Sequence, residues 1–221
     1  FSYVVELDGQ PITDHAESGI ALWLDRVYGL QISTNRASEA VVHIAHGIGH
    51  YHPVRDYLRQ VPWDGQERAD LLFTYYAGAE DNELNRELGR RFLISAISRI
   101  FSPGSKVDCC PVLVGKQGLR KSSFLRKLAI KSEWFSDSAL DIGGNMKDAY
   151  QNIQGVFIYE LAELASIRPR EAETVKAFIS AQVDRFRPSY NRHVISRERQ
   201  VVFAGTTNGA EFLSDTTGNR R

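Results

Sequence analysis

The sequence predicts an α/β fold, in which a largely parallel sheet flanked by helices follows a mostly helical N-terminal domain. Apolar residues recur at helical spacing through roughly the first hundred residues, which indicates amphipathic helices. From about residue 105 onward, short apolar strands alternate with amphipathic helices. This alternation is typical of a parallel sheet that carries helices on both faces.

The amino-acid composition limits the kinds of site that the chain can contain. The chain of 221 residues is 43% hydrophobic and 24% charged, and its 27 Lys and Arg residues balance 27 Asp and Glu residues. Because the net charge is zero, a nucleic-acid site would have to be a local basic patch. The only cysteines, Cys109 and Cys110, are adjacent, which excludes a disulfide framework and suits a reducing cytoplasm.

Two further features concern the context of the chain. No apolar run approaches the length of a membrane span, so we expect no membrane partner. The only methionine is Met146, and the chain does not begin with an initiator residue. We therefore expect it to be part of a longer protein.

The predicted N-terminal domain, residues 1–104, is a series of helices. Apolar residues from Gly19 to Tyr28 have helical spacing and are closed by Gly29, while Ser38 is a candidate cap for a second helix. Further helices are predicted over 53–61, 69–77 and 82–101. The dipeptide at 103–104, Pro-Gly, marks the predicted boundary with the second domain.

Histidines cluster on the second predicted helix and suggest a metal. His43, His46 and His50 would lie near one another there, with His52 beyond them. Structural zinc sites add a fourth ligand at a defined loop spacing, which the sequence does not offer. We therefore favour a satisfied or solvated helix face over a metal site for these histidines.

The second domain, residues 105–221, is organised around a glycine turn between a short apolar strand and an amphipathic helix. Residues 115–122, GKQGLRKS, follow the phosphate-binding pattern G-x-x-x-x-G-K-[ST] except that Arg120 replaces the second glycine. If Arg120 must adopt a positive φ, its side chain costs about 1 kcal/mol or more. The alternative is an ordinary strand-to-helix turn with an exposed lysine.

Each residue type in this loop suits a nucleotide triphosphate. Gly115 and Gly118 let the backbone approach phosphate, and Lys121 would reach the β- and γ-phosphates of ATP. The Ser122 hydroxyl would hold Mg²⁺. The predicted ATP-binding residues are Gly115, Gln117, Gly118, Arg120, Lys121, Ser122 and Ser123.

Polar residues also end two later predicted strands. The strand over 156–160 ends at Glu160, and Glu163 follows; these carboxylates would lie beside the loop if the strands are neighbours. Glu160 would then hold Mg²⁺ while the second carboxylate orients and deprotonates water. The strand over 200–208 ends in Thr206-Thr207-Asn208, and the Asn208 amide could fix the attacking water or contact the γ-phosphate. Each motif alone could be a turn or a solvated helix start.

The remaining elements complete the alternation of strands and helices. A strand is predicted near 134–137, and helices over 148–153 and 170–180. The stretch 185–199 is strongly basic, with arginines at 185, 187, 192, 197 and 199 interrupted by Tyr190 and His193. These arginines could contact nucleic acid, or they could pair with Glu171, Glu173 and Glu198.

Taken in order, these motifs resemble the virulence-associated protein E family of phages and mobile elements, which is related to superfamily-III replicative helicases. The resemblance also includes YHPVRDYL at 51–58 and WDG at 63–65, so it spans most of the chain. The motifs that carry it are GKQGLRKSS at 115–123, WFSD at 134–137, ELAEL at 160–164, VKAFIS at 175–180, VDRFRPSY at 183–190, FAGTTN at 203–208 and FLSDTTGNRR at 212–221.

The resemblance implies an AAA-like ATPase core that acts as a homo-oligomeric ring in DNA replication. In such rings a neighbouring subunit supplies an arginine to the ATP site, and Arg220 or Arg221 occupies the matching region, with Arg185 and Arg187 as further candidates. Family relatives also carry a hairpin between the Glu and Asn strands that tracks single-stranded DNA. The residues that would contact DNA are Arg185, Arg187, Arg192 and His193.

Alternative functions remain open at this point. The chain could be a DNA-binding or assembly module whose loop no longer turns over ATP, with Arg120 as the reason. It could also be a small-molecule kinase built on a phosphate loop, although the basic stretch would then have no role. The resemblance also implies a further strand after Arg220 and Arg221, because the sequences of the family continue into one there.

Overall fold

The computed structural model describes residues 5–7, 10–48, 51–142, 144, 146–162, 169–188 and 193–209. Contacts between Cα atoms divide the chain into two compact units, residues 2–56 and residues 57–221. This division falls well before the predicted boundary at residue 104. The helix that precedes residue 104 therefore belongs to the same compact unit as the sheet.

The first unit is a small helical assembly. A short antiparallel pair, β1 (Glu6–Leu7) and β2 (Gln10–Pro11), precedes helices α1 (Asp14–Tyr28) and α2 (Thr34–Ile48). The Thr13 side chain caps α1, and Gly29 ends it at φ 65°. Helix α3 (Pro53–Gln60) begins in this unit.

Two expectations about α2 are tested by the described residues. Ser38 does not cap the helix, because α2 begins at Thr34; its hydroxyl instead donates to the Glu17 carboxylate on α1 at 2.7 Å. Among the residues that the structure describes, no group of three His, Cys, Asp or Glu side chains is placed to hold a metal. His50, one member of the proposed histidine cluster, lies outside them.

The second unit opens with helical segments. A 3₁₀ turn (Ala69–Leu71) and a π turn (Leu72–Tyr76) form the short helix predicted over 69–77, and α4 (Glu83–Phe101) follows with Asn82 as its cap. The irregular segment lies close against α4, because a Cβ on Gly89 would be 3.1 Å from the Leu72 Cβ. Burial of Leu72 and Phe73 there outweighs regular α-helical hydrogen bonding.

A parallel sheet of four strands confirms the predicted α/β class. The strand order is β3-β8-β5-β4, and all pairs are parallel. Helices α5, α6 and α7 connect the strands in chain order. The elements are β3 (Val112–Val114), α5 (Lys121–Leu128), β4 (Phe135–Ser136), α6 (Met146–Asn152), β5 (Ile158–Leu161), α7 (Pro169–Ser180) and β8 (Val202–Thr207).

The two central strands present different residues to the two faces of the sheet. Tyr159 and Phe203 are register partners and pack with Phe178 of α7 in an apolar core. Because successive side chains alternate, the opposite face carries Glu160 and its partner Ala204, and this face is covered by α5. All six residues of β8 are buried, as expected for a strand with neighbours on both sides and helices on both faces.

An antiparallel hairpin precedes β8. Its strands are β6 (Val183–Phe186) and β7 (Ile195–Glu198), with Asp184 opposite Arg197 and Arg185 opposite Ser196. Asp184 and Phe186 are buried, whereas Arg185 is exposed on the other face. Of the helices described, none is both long and apolar enough to cross a membrane.

Candidate functional site

The glycine loop joins β3 to α5 at the carboxyl edge of the sheet. The Gly115 N–H donates to the Thr207 carbonyl at 3.2 Å, which ties the start of the loop to the end of β8. Gly118 has φ 88°, a conformation that glycine adopts without steric cost. A glycine thus occupies a position in the loop where the backbone has a positive φ.

Arg120 adopts the strained conformation considered from the sequence. It has φ 57° and ψ 30°, in the left-handed region, and α5 begins at the next residue. Its side chain makes no capping hydrogen bond, so the first N–H groups of α5 are left facing the loop. Arg120 therefore adopts a backbone conformation that favours glycine, which is the residue that the phosphate-loop pattern has at this position.

Lys121 lies across the mouth of the loop. Its ammonium group donates to the Gly115 carbonyl at 2.6 Å and to the Lys116 carbonyl at 3.1 Å. It also donates to the Asn208 side-chain oxygen at 3.0 Å, although the two residues are far apart in sequence. The structure therefore brings together two predicted site residues, one from the helix start and one from the end of β8.

Glu160 is a buried carboxylate at the carboxyl edge of the sheet. Its side chain is 2% exposed, and its Oε1 accepts hydrogen bonds from the Ser122 hydroxyl at 2.7 Å and the Thr206 hydroxyl at 2.6 Å. The other oxygen, Oε2, is buried and has no hydrogen-bond partner within the described part of the chain. A buried carboxylate oxygen without a partner is costly, so it marks a position for a donor or a cation.

The sheet order corrects one part of the prediction. Glu160 was expected beside the loop on the condition that their strands are neighbours, but β8 lies between β3 and β5. Glu160 nevertheless reaches the loop helix, because Ser122 in the first turn of α5 extends over the face of β8. Asn208 occupies the intermediate position between the two strands, which explains its contact with Lys121.

Several predicted site residues lie elsewhere or outside the described residues. Gln117, Arg120 and Ser123 are exposed on or beside the loop, and no described contact joins them to Glu160. Arg185, Arg187 and His193 are exposed on the hairpin. The predictions for Glu163, Arg192, Arg220 and Arg221 fall outside the described residues.

One arginine of the basic stretch is not available to nucleic acid. Arg199 is 1% exposed and pairs with the buried Asp184, and its guanidinium also donates to the Phe178 carbonyl. It lies 4.7 Å from the centre of the Phe178 ring and 5.6 Å from that of Phe203. Its acidic partner is Asp184, which is not among the glutamates suggested from the sequence.

A second buried arginine lies beside this pair. Arg99 of α4 is 0% exposed and donates to the carbonyls of Ala181 and Arg199. Burial, and then the neighbouring Arg199 charge, lower the pKa of Arg99 to about 10. Sequence reasoning missed this cluster, because Arg99 falls on a helix whose apolar spacing predicts a purely hydrophobic buried face.

Sequence reasoning also assigned no role to Thr206. The available signal was its position two residues before Asn208 in the strand predicted over 200–208, because residues separated by two share a face of a strand. The resulting site combines hydroxyl and carboxylate oxygens, which suit a hard divalent cation, with an ammonium group and free helix N–H groups, which suit phosphate. These are the ligand types that a Mg²⁺-nucleotide complex requires.

Comparison with solved structures gives similar chains in the C-terminal region of NrS-1. The apo structure of that region (305–718) has a TM-score of 0.49 and 15% sequence identity, covering 72% of this chain and 38% of that chain. Its A form apo structure has a TM-score of 0.42 and 16% identity, covering 67% of this chain and 34% of that one. The chain thus spans less than two thirds of the length of these structures.

None of the curated proteins compared with the chain matches it. A family model does match, over residues 58–221, a segment that includes the glycine loop, the strand bearing Glu160 and the strand leading to Asn208. This segment holds most of the ordered motifs on which the resemblance was based, and it makes up more than half of the chain. The chain therefore belongs to the virulence-associated protein E-like domain family.

Proposed function

We propose that this chain is the ATP-hydrolysing core of a helicase-like DNA motor that acts in replication of a phage or mobile genetic element. The role in replication is supported by family membership. The proposal of ATP hydrolysis rests on one observation: Ser122 is hydrogen-bonded to Glu160 beside the contact between Lys121 and Asn208. Together these contacts support a cation-binding pair and a phosphate-binding pair at one edge of the sheet.

The oxygen atoms that could bind a cation at this site suit Mg²⁺. Glu160 Oε2 is a buried, unpaired carboxylate oxygen, and the Ser122 hydroxyl is hydrogen-bonded to the other oxygen of the same group. These two side chains would hold the cation, which, when bound, would neutralise charge on the phosphate oxygens as a Lewis acid. Oxygen ligands of this kind match the preference of Mg²⁺ for carboxylate and hydroxyl partners.

The protein side chains would perform the remaining steps. Lys121 would exchange its carbonyl partners at Gly115 and Lys116 for the β- and γ-phosphates of ATP, while N–H groups at the start of α5 bind phosphate oxygens. Asn208 would then be released from Lys121 to orient the attacking water or the γ-phosphate. Glu163 is our proposed base, and Arg220 or Arg221 from a neighbouring subunit would stabilise the transition state.

The hairpin would supply the contact with single-stranded DNA. Arg185 is exposed on β6, Arg187 is exposed just after that strand, and His193 is exposed just before β7. Arginine pairs with backbone phosphate and imidazole can stack on a base, so this contact would be independent of sequence and weakened by salt. Arg192, which precedes His193 in the sequence, is proposed to join them.

The proposal is tested by ATP hydrolysis with Mg²⁺ in the full-length protein, with and without single-stranded DNA. Turnover should be stimulated by DNA and should rise more steeply than protein concentration if subunits share a site. Lys121→Ala and Glu160→Gln should each lower the turnover rate at least about 100-fold, because they remove phosphate and cation contacts. Lys127→Ala, at an exposed lysine on the same helix, is the matched control and should retain turnover.

The positive φ of Arg120 favours a second candidate, a DNA-binding or assembly module that does not hydrolyse ATP. That function predicts salt-dependent DNA binding with no turnover in the wild-type protein. Absence of turnover with DNA binding intact would therefore replace the motor by this module. Transfer of phosphate to a small acceptor, in place of release to water, would instead indicate a kinase.

A further inference from the structure

Thr206 is the third group that meets at the Glu160 carboxylate. Its side chain is 6% exposed, and its hydroxyl donates to Glu160 Oε1 at 2.6 Å. The strand register explains the contact: Glu160 pairs with Ala204, and Thr206 is the next residue along β8 on the same face. The contact thus follows from the register of two central strands and does not depend on a loop.

The hydrogen bonds on Glu160 are unevenly distributed. Both donors, Ser122 from α5 and Thr206 from β8, bond to Oε1, whereas Oε2 has none within the described part of the chain. An ionised carboxylate can accept about four hydrogen bonds, so this group has unused capacity on one oxygen. Donors from two different elements also restrict rotation of the carboxylate.

We propose that Thr206 is a positioning residue, which fixes the Glu160 carboxylate and leaves Oε2 available to the divalent cation of a bound nucleotide. This inference rests on the proposed function above. Ser122 is itself a proposed cation ligand, so its hydroxyl would serve both the cation and Glu160. Thr206 serves Glu160 alone and is held by a central strand, so it maintains the carboxylate orientation independently of the loop.

Residues that orient a metal ligand through a hydrogen bond change metal affinity when they are replaced, typically by about 10- to 100-fold. Thr206→Val keeps the shape of the side chain and removes the donor, whereas Thr206→Ser keeps the donor. Thr207→Val is the matched control, because Thr207 is buried on the same strand and its hydroxyl contacts Gly209. These three variants separate the donor from general packing.

The experiment measures thermal unfolding of the full-length protein with a non-hydrolysable ATP analogue over a range of Mg²⁺ concentration. For Thr206→Val, the Mg²⁺ concentration that gives half of the stabilisation should rise about tenfold or more, while analogue binding in EDTA stays unchanged. Thr206→Ser should fall within about threefold of the wild type. Thr207→Val should leave the Mg²⁺ dependence unchanged.

The outcomes separate this inference from the proposed function. A wild-type Mg²⁺ dependence in Thr206→Val, even with a lower melting temperature, would show that Thr206 is only structural and would overturn the inference alone. Failure of Thr206→Ser to restore Mg²⁺ affinity would also overturn it. If the wild-type protein binds neither analogue nor Mg²⁺, the proposed function fails and the positioning role fails with it.

Discussion

Buried charged side chains lie on both faces of the parallel sheet, and the two faces differ in how fully these charges are paired. On the α5 face, Glu160 accepts two hydroxyls on one oxygen and leaves the other unpaired. On the α7 face, the Arg199 guanidinium pairs with Asp184, donates to a backbone carbonyl and stacks on Phe178. Under the proposed function the first charge is arranged for a ligand, whereas the second is paired within the fold.

This difference has a physical basis. A buried charge is tolerated when its hydrogen-bonding groups are satisfied, and Arg199 approaches that condition. An incompletely paired buried carboxylate lowers stability in the absence of a cation, so Glu160 would be retained for what it binds. The two clusters are therefore expected to respond in opposite ways to neutral substitution.

The largest effect should come from Arg199→Leu, which leaves Asp184 buried without its guanidinium partner. We expect the free energy of unfolding to fall by about 3–5 kcal/mol, measured by urea denaturation. Arg187→Leu, at an exposed arginine of the same hairpin, should change it by less than about 0.5 kcal/mol. A similar small change for Arg199→Leu would mean that the buried pair does not stabilise the hairpin base.

Glu160→Gln, on the other face of the sheet, should raise the free energy of unfolding, whereas Arg199→Leu lowers it. The amide oxygen can still accept from Ser122 and Thr206, and the change removes a buried charge whose second oxygen is unpaired. Without nucleotide, we expect the free energy of unfolding to rise by about 1 kcal/mol, again measured by urea denaturation. A loss of stability of several kcal/mol would show that the carboxylate is satisfied in the fold and would break the comparison.

A gain of similar or smaller size is expected at the far end of α5. Ile130 follows the helix with φ 74°, a left-handed conformation that is unfavourable for a β-branched residue. Ile130→Gly should raise the free energy of unfolding by about 1 kcal/mol, measured by thermal denaturation, because glycine adopts this conformation freely. ATP binding should be unchanged, and a lower melting temperature would show that the packing of Ile130 outweighs its backbone strain.

The smallest effect should come from an exposed ion pair. Arg68 donates to Asp64 at 3.0 Å, and this hydrogen bond lowers the pKa of the Asp64 carboxyl. A lowered pKa in the folded state gives stability that is present above the unfolded pKa and is lost as the pH falls through the folded value. Because both groups are exposed, Arg68→Gln should leave the unfolding midpoint unchanged at neutral pH.

The same variant has a readout that does not depend on stability. In Arg68→Gln, the Asp64 pKa measured by NMR titration should rise toward its ordinary value, since its main hydrogen-bond donor is gone. An unchanged Asp64 pKa would mean that the pair does not form in solution. A marked fall in the unfolding midpoint would mean that exposed pairing contributes as buried pairing does.

Much of the architecture followed from local sequence patterns. The helical spacing over residues 82–101 predicted α4 closely, and the alternation after residue 105 predicted the parallel sheet. The short helix predicted over 69–77 forms as a 3₁₀ turn and a π turn, and its close contact with Gly89 favours these turns over a regular α-helix. Periodicity describes which residues are apolar, but it does not describe how closely two helices approach.

The sequence predicted which residues form the candidate site more completely than it predicted how these residues are arranged in space. Lys121, Ser122, Glu160 and Asn208 were all selected from strand and loop ends, and the structure brings them together in two hydrogen-bonded pairs. The arrangement of their strands was not predicted, because strand order depends on long-range pairing. Thr206 was missed for the same reason, since its role is visible only once β5 and β8 are neighbours.

The sequence by itself determined the family, the α/β class and the residue types at the loop and strand ends, because these depend on local spacing and on chemistry carried by each residue. Only the tertiary structure decided that β8 lies between β3 and β5, that Thr206 joins Ser122 on Glu160, and that Arg199 is buried with Asp184. The reason is that burial and pairing of a charged side chain depend on contacts between residues distant in the chain, which no local pattern encodes.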